Sequence, residues 1–345
     1  MSSVLQKFEI GAQWPTLDPF LFTAHHNDSY PAGNGRLAPD AIELKGRQIG
    51  SDFSGRDGWS MYHGRQVPGF PQHPHRGFET ITYVRRGYVD HTDSMGAAAR
   101  FGEGDTQWVT TGGGVVHAEM FPLLSEDDDN PMEMFQIWLN LPAHDKMVPA
   151  YFTMLWAEDT PKVVTADRNK NRTTLTLIAG SFGDHNAQLP PPNSWASKIS
   201  AGVGIWHISM QADAEFKLPH TESADINRAI YVFDGSWVDV DGVEVEAGAG
   251  AVLRSDVPTK LVAGDGPVDA MVLQGRPIGE PVARYGPFVM NTEAEIRQAF
   301  SDYQETQFGG WPWPSDDPNH GDASQGRFAR HADGRVEQRS AAATT

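Results

Sequence analysis

The chain has no cysteine. Disulfides, thiolate-held zinc, iron–sulfur clusters and cysteine nucleophiles are therefore excluded. Basic residues are scarce as well: Lys and Arg number 27 against 45 Asp and Glu, a formal charge of −18. A surface of that sign repels phosphate backbones, so direct nucleic-acid binding is not expected. No apolar run approaches the roughly 20 residues that a membrane-spanning helix needs, so no membrane partner is expected. Residues 1–14 lack a basic start followed by an apolar stretch, so no secretory signal is read there and a cytoplasmic location is expected. Helical periodicity is nearly missing too. Gly (35) and Pro (24) are plentiful, which favours many turns and short strands over long helices.

The chain of 345 residues is 39% hydrophobic, enough to bury the core of one large or two ordinary domains. Its most informative stretch opens with His73-Pro74-His75-Arg76-Gly77-Phe78-Glu79 and closes with Gly114-Val115-Val116-His117-Ala118-Glu119. Each end offers two metal-capable side chains one residue apart. A strand turns alternate side chains to opposite faces, so each pair shares a face. On neighbouring strands His73 and His75 would meet His117 and Glu119, giving three imidazoles and a carboxylate around one point. Such a set takes Fe(II), Mn, Ni, Cu, Co or Zn, with iron favoured where positions stay open for substrate and oxygen. A single His-x-His pair is usually superficial or structural. Two ligand-like pairs, each bounded by strand-like sequence and turns, are far less easily produced by chance.

Alternating β-like runs flank these motifs, among them 80–84, 88–91, 106–110 and 132–141. A second β-rich block, roughly 200–275, repeats the pattern without the ligands and carries an Asp241-Gly242 hairpin signal. An internal duplication in which one copy kept the metal is the natural reading. Residues 27–72 read as a long irregular segment leading into His73, and a connection of that length is usually functional or mobile. His25, His26, His63 and His91 rank below the four ligand candidates, and His220 stands alone. Near the end, Thr292 and Glu295 have capping-box spacing, and Ile296, Ala299, Phe300 and Tyr303 form an apolar helical stripe.

The expected fold is all-β: two antiparallel barrels or jelly rolls in a bicupin arrangement, with a C-terminal helix. The expected bounds are 1–145 for a metal-binding cupin domain, 146–290 for a metal-free one, 291–314 for the helix and Trp-Pro segment, and 315–345 for a loosely ordered polar tail fading to an Ala-Thr end. In a cupin the pattern His-x-His-x-x-x-Glu fits His73, His75 and Glu79, and His117 fits the second motif. On this pattern either Glu79 or Glu119 is the fourth ligand.

The motifs Asp18-Pro19-Phe20-Leu21, His73 to Thr80, Gly104 to Trp108, Gly114 to Met120, Gln136 to Leu141 and Tyr285 to Thr292 together resemble the pirins. They run in order over most of the chain. The resemblance implies a bicupin with one metal, normally iron, held by His73, His75, His117 and Glu119, which leaves Glu79 as a partner behind the ligands. It further implies quercetin 2,3-dioxygenase-type activity on a flavonol-like aromatic substrate, with Glu119 accepting the 3-hydroxyl proton. Phe20, Phe78, Trp108, Met120 and Phe121 are candidates for the apolar wall, though core is the better reading for each. The alternative that the resemblance carries is an iron-dependent, redox-responsive regulator that binds a protein partner. Two departures from the family, the long 27–72 segment and Ala24-His25-His26, lie near the expected mouth and bear on substrate choice.

Overall fold

The computed structural model of the protein describes residues 2–321 and 323–340. The Ala-Thr end, 341–345, lies outside the described residues. The chain folds into two compact units. One comprises Met1–Ala24, Ile137–Asn140 and Glu158–Gly279, and the other His25–Gln136, Leu141–Ala157 and Glu280–Thr345.

The metal-motif unit is built from short strands separated by glycine turns: β1 (Gly69–His75), β2 (Phe78–Arg86), β3 (Tyr88–Asp93), β4 (Ala98–Gly102), β5 (Thr106–Thr110), β6 (Val115–Met120), β7 (Asn130–Asn140, of which Ile137–Asn140 are counted with the other unit) and β8 (Tyr151–Leu155). In one sheet the order is β4-β3-β6-β1, and in the other β8-β5-β2-β7. Inward-facing Val84, Val89, Phe101, Val109, Val115 and Phe152 form one buried cluster between them. Each such side chain contributes roughly 1.5–3 kcal/mol on burial. β1 is the last strand of its sheet, where Pro71 and Pro74 withhold no ladder hydrogen bond from an inner neighbour.

The second unit contains the other barrel. Its strands include β9 (Arg172–Ala179), β10 (Gly204–Met210), β11 (Asn227–Gly235), β12 (Ala249–Leu253) and β13 (Val268–Gly275). Leu175, Trp206, Ile208, Ile230, Leu261 and Val272 fill its interior at no more than 2% exposure. That filling makes its interior a packed apolar core. Among the described residues the one group of metal-capable side chains close enough to share an ion is His73, His75 and His117.

The C-terminal segment supplies β14 (Phe288–Met290) and α1 (Glu293–Thr306). Thr292 caps α1 as its spacing predicts, its Oγ1 accepting from the Glu295 backbone N–H at 3.2 Å. The expected stripe of Ile296, Ala299, Phe300 and Tyr303 packs on Phe288 and Met290.

Two expectations need correction. The tail is not loosely ordered throughout: β15 (Arg327–Arg330) and β16 (Val336–Arg339) extend the β4 edge, with Phe328 opposite Arg100. Arg327 is buried against Asp105 at 2.8 Å. Consequently the described residues of 315–340 belong to the unit that carries the histidine group rather than standing apart. The bound at residue 145 also fails to separate the units, because the strand Val4–Glu9 pairs with β12. Both pairings join residues more than 200 positions apart, which no local pattern encodes.

Tight backbone approach fixes the turn after the first motif. Gly77 has φ +87°, and a Cβ there would fall 2.0 Å from the Val289 carbonyl oxygen. Gly77→Ala is expected to destabilise the protein by at least about 2 kcal/mol, through strain and displacement of β14. A urea titration reads this as a lowered midpoint; an unchanged midpoint would sink the packing account of this turn.

Candidate metal centre

Register places the ligands. On the β1–β6 ladder His73 lies opposite His117 and Phe70 opposite Glu119, so three steps on β1 match two on β6. The extra residue is a β-bulge, which re-aims the side chains that follow it. Beyond the bulge, His73 and His75 share a face with His117. Their ring centroids lie 4.8 Å (His73–His75), 4.5 Å (His73–His117) and 4.9 Å (His75–His117) apart.

Hydrogen bonds set the tautomers. His73 Nδ1 lies 2.9 Å from the Pro71 carbonyl, and His75 Nδ1 lies 3.3 Å from that of Pro287. A carbonyl only accepts, so each Nδ1 carries the proton and each Nε2 presents a lone pair. His73 Nε2 and His117 Nε2 face each other at 3.0 Å. Burial holds the His73 imidazole down to about 4 and those of His75 and His117 well below the usual range. Neutral imidazoles with converging lone pairs fit a divalent cation.

Glu119 borders this group: its Oε2 stands 3.9 Å from His117 Nε2. Its carboxylate accepts from Thr82 Oγ1 at 3.1 Å and from Gln136 Nε2 at 3.0 Å, and Thr82 also bonds Gln136. Burial raises its pKa above the ordinary glutamate value, which suits a group that must hold a proton. Sequence reading missed Thr82 and Gln136 as its partners. The signal was a lone Gln inside the apolar run Met132 to Leu141.

Glu79 takes a different place. It lies on β2 opposite Thr110, on the strand face away from Thr82. Its Oε1 accepts from Trp108 Nε1 at 3.1 Å and Thr110 Oγ1 at 2.7 Å. Glu79 is therefore not drawn into the histidine group as an alternative ligand; it satisfies two donors in the sheet. Glu79→Leu is expected to cost about 2–4 kcal/mol by leaving both donors buried and unpaired, while metal stoichiometry stays that of the native protein. Elemental analysis of the folded variant checks this, and loss of metal from a still-folded variant would return Glu79 to the centre.

The lower-ranked histidines have other work. His91 Nε2 bonds Asp93 at 3.1 Å, and its ring stacks on Phe152. His25 pairs with buried Glu133 at 3.1 Å and stacks on Phe135. His26 packs edge-on to Tyr62 and Phe70, and burial lowers its pKa to about 4. His63 does reach the mouth. It lines, with Arg65, Phe70, Gln72, His73, Asp316 and Asp317, a cavity of about 610 Å³. The irregular segment borders this cavity, as expected. Of the expected wall residues, Phe20, Phe78, Trp108, Met120 and Phe121 are all core, at 5% exposure or less. The aromatic wall is Phe70, stacked on Tyr62 at 5.2 Å.

A paired-barrel fold with a three-histidine group in its first barrel is a bicupin with one candidate metal centre. More particularly, residues 3–139 match the family model described as Pirin, and 205–309 match the Pirin C-terminal cupin domain. The chain belongs to the pirin family. It is 35% identical over 244 residues (71% of this chain and 80% of the other) to a Pseudomonas aeruginosa protein that carries quercetin 2,3-dioxygenase as a provisional name. It is 32% identical over 257 residues to a pirin-like protein of Solanum lycopersicum, covering 69% of this chain and 76% of that one. A crystal structure of quercetin 2,3-dioxygenase from Acinetobacter baumannii superposes with a TM-score of 0.69 at 26% identity, covering 90% of this chain and 99% of that one. No helix among the described residues is long and apolar enough to cross a membrane.

Proposed function

We propose that this protein is a metal-dependent dioxygenase that opens the central ring of a flavonol, with Fe(II) as its working metal. The observation that carries the reading is the group of three neutral imidazoles beside a buried Glu119 whose pKa burial raises, next to a cavity of about 610 Å³ with a flat aromatic wall. The names borne by the Pseudomonas and Acinetobacter relatives support it.

His73, His75 and His117 would hold the metal, with Glu119 as fourth ligand or as a base beside it. When bound, the metal supplies Lewis acidity toward the flavonol 3-oxygen and a redox-capable centre for reaction with dioxygen. The side chains do the rest. Glu119 takes the 3-hydroxyl proton, and its raised pKa lets it keep that proton through the reaction. Thr82 and Gln136 fix the carboxylate by hydrogen bonds. The carbonyls of Pro71 and Pro287 keep two imidazole lone pairs turned inward. Phe70 provides a face on which a flat ring stacks.

The test is quercetin loss followed by absorbance on protein stripped of metal and refilled with Fe(II), Mn(II), Ni(II), Cu(II), Co(II) or Zn(II), in air and without oxygen. Oxygen-dependent loss, greatest with Fe(II), is expected. Metal-loaded protein that consumes no flavonol in air under any filling would overturn the proposal.

A further inference from the structure

The cavity beside His73 has an unlike lining. Of the histidine group, His73 lines it; exposed Arg65 and Asp316, with half-buried Asp317, give it a charged rim. Its volume falls within the range of small-molecule pockets. The two acids come from outside the stretches that match the family models, the second of which stops at residue 309. Their segment is nevertheless anchored. The Gln72 backbone N–H donates to the Asp316 carbonyl at 2.7 Å, and Gln72 Nε2 donates to Asp316 Oδ1 at 2.7 Å. Before them Trp313 Nε1 donates to the Asp93 carbonyl at 2.8 Å, and after them the His320 N–H donates to Asp90 at 2.8 Å. Gln72 immediately precedes His73, so the rim is tied to the metal motif itself.

We infer that Asp316 and Asp317, with Arg65 in the same lining, are specificity-determining residues that select a flavonol bearing free hydroxyls on the ring remote from the metal. The inference rests on the reading of the site given above. Ionised carboxylates only accept hydrogen bonds, so the group that meets them must donate. One guanidinium against two carboxylates leaves the rim net negative, in a chain of formal charge −18. A phenolic hydroxyl satisfies that rim, whereas a sulfate or carboxylate on the same ring is repelled. Phe70, in the same lining, offers its face to the ring system, and Arg65 donates to the hydroxyl oxygens.

The experiment compares three flavonols: one with vicinal hydroxyls on the outer ring, one with none there, and one sulfated at that ring. kcat/KM is measured on the iron-loaded protein, and Kd by fluorescence titration on the zinc-loaded protein, where binding is read without turnover. The native protein is expected to favour the hydroxylated compound over each of the others by about tenfold, the worth of one or two partly exposed charge-assisted hydrogen bonds. In an Asp316→Asn/Asp317→Asn double variant, with metal content verified, both ratios should fall to about two or less. Asn at 316 still accepts from Gln72, so the segment stays anchored. Ratios unchanged by the substitutions, or absent from the native protein while it still binds flavonols, overturn this inference alone. Native protein that neither binds nor consumes any of the three overturns the reading of the site and the inference with it.

Discussion

Replacing His117 by alanine is expected to reduce metal affinity by more than a hundredfold and to abolish flavonol turnover. Loss of a residue that merely orients a ligand costs 10- to 100-fold in metal affinity, so loss of a ligand itself must cost more. His117 sits at the centre of the group, its ring 4.5 Å from that of His73 and 4.9 Å from that of His75. It is also fully buried on an inner strand, so no neighbouring side chain can swing in from solvent to replace it. The side chain removed is neutral and polar, and its loss leaves a cavity next to His73, His75 and His91. A stability loss of about 1–3 kcal/mol is therefore expected alongside the loss of metal. Calorimetric metal titration of folded variant, with circular dichroism to verify the fold, separates the two effects. Native-like metal affinity in His117→Ala would remove this histidine from the centre.

Glu119→Gln is expected to lower kcat by about 100-fold or more, within the usual range for loss of a positioned proton acceptor. Glutamine has nearly the same shape and can still meet Thr82 and Gln136, so the barrel should fold. What it lacks is the capacity to hold a proton from the 3-hydroxyl. Because the carboxylate stands 3.9 Å from His117 Nε2, the substitution also tests its place relative to the metal. A fourth ligand predicts weaker metal binding together with lost turnover, whereas a base alone predicts lost turnover at native metal content. Turnover within a factor of three of the native protein's would sink both roles.

Much of this was legible in the sequence because it is local. Alternation and glycine turns marked the strands of both barrels, and the one-residue spacing of His73/His75 and His117/Glu119 marked shared faces. The helix Glu293–Thr306 was marked by its cap and stripe. What stayed hidden depends on register and on long-range pairing. Glu79 has cupin spacing from His73, yet strand alternation turns it to the face opposite Thr82 and gives its carboxylate to Trp108 and Thr110. The bulge between Phe70 and His73 cannot be counted without knowing the partner strand. The polar tail read as loose because Arg327 and Arg330 look solvated in isolation. In the fold, Arg327 is buried on Asp105 and its strand completes a sheet edge. The wall depends on topology too: Phe78 and Trp108, for which core is the better reading, do face the core, but composition alone does not show that Phe70 faces the cavity.

X-ray absorption at the metal edge, on protein purified without added metal and quantified by elemental analysis, tests the centre most directly. About one equivalent of metal per chain is expected, iron foremost, with scattering from three imidazoles and light oxygen donors, and loss of that signature in His117→Ala. A full equivalent of metal with no imidazole scattering, or one that persists unchanged in the variant, would contradict that centre.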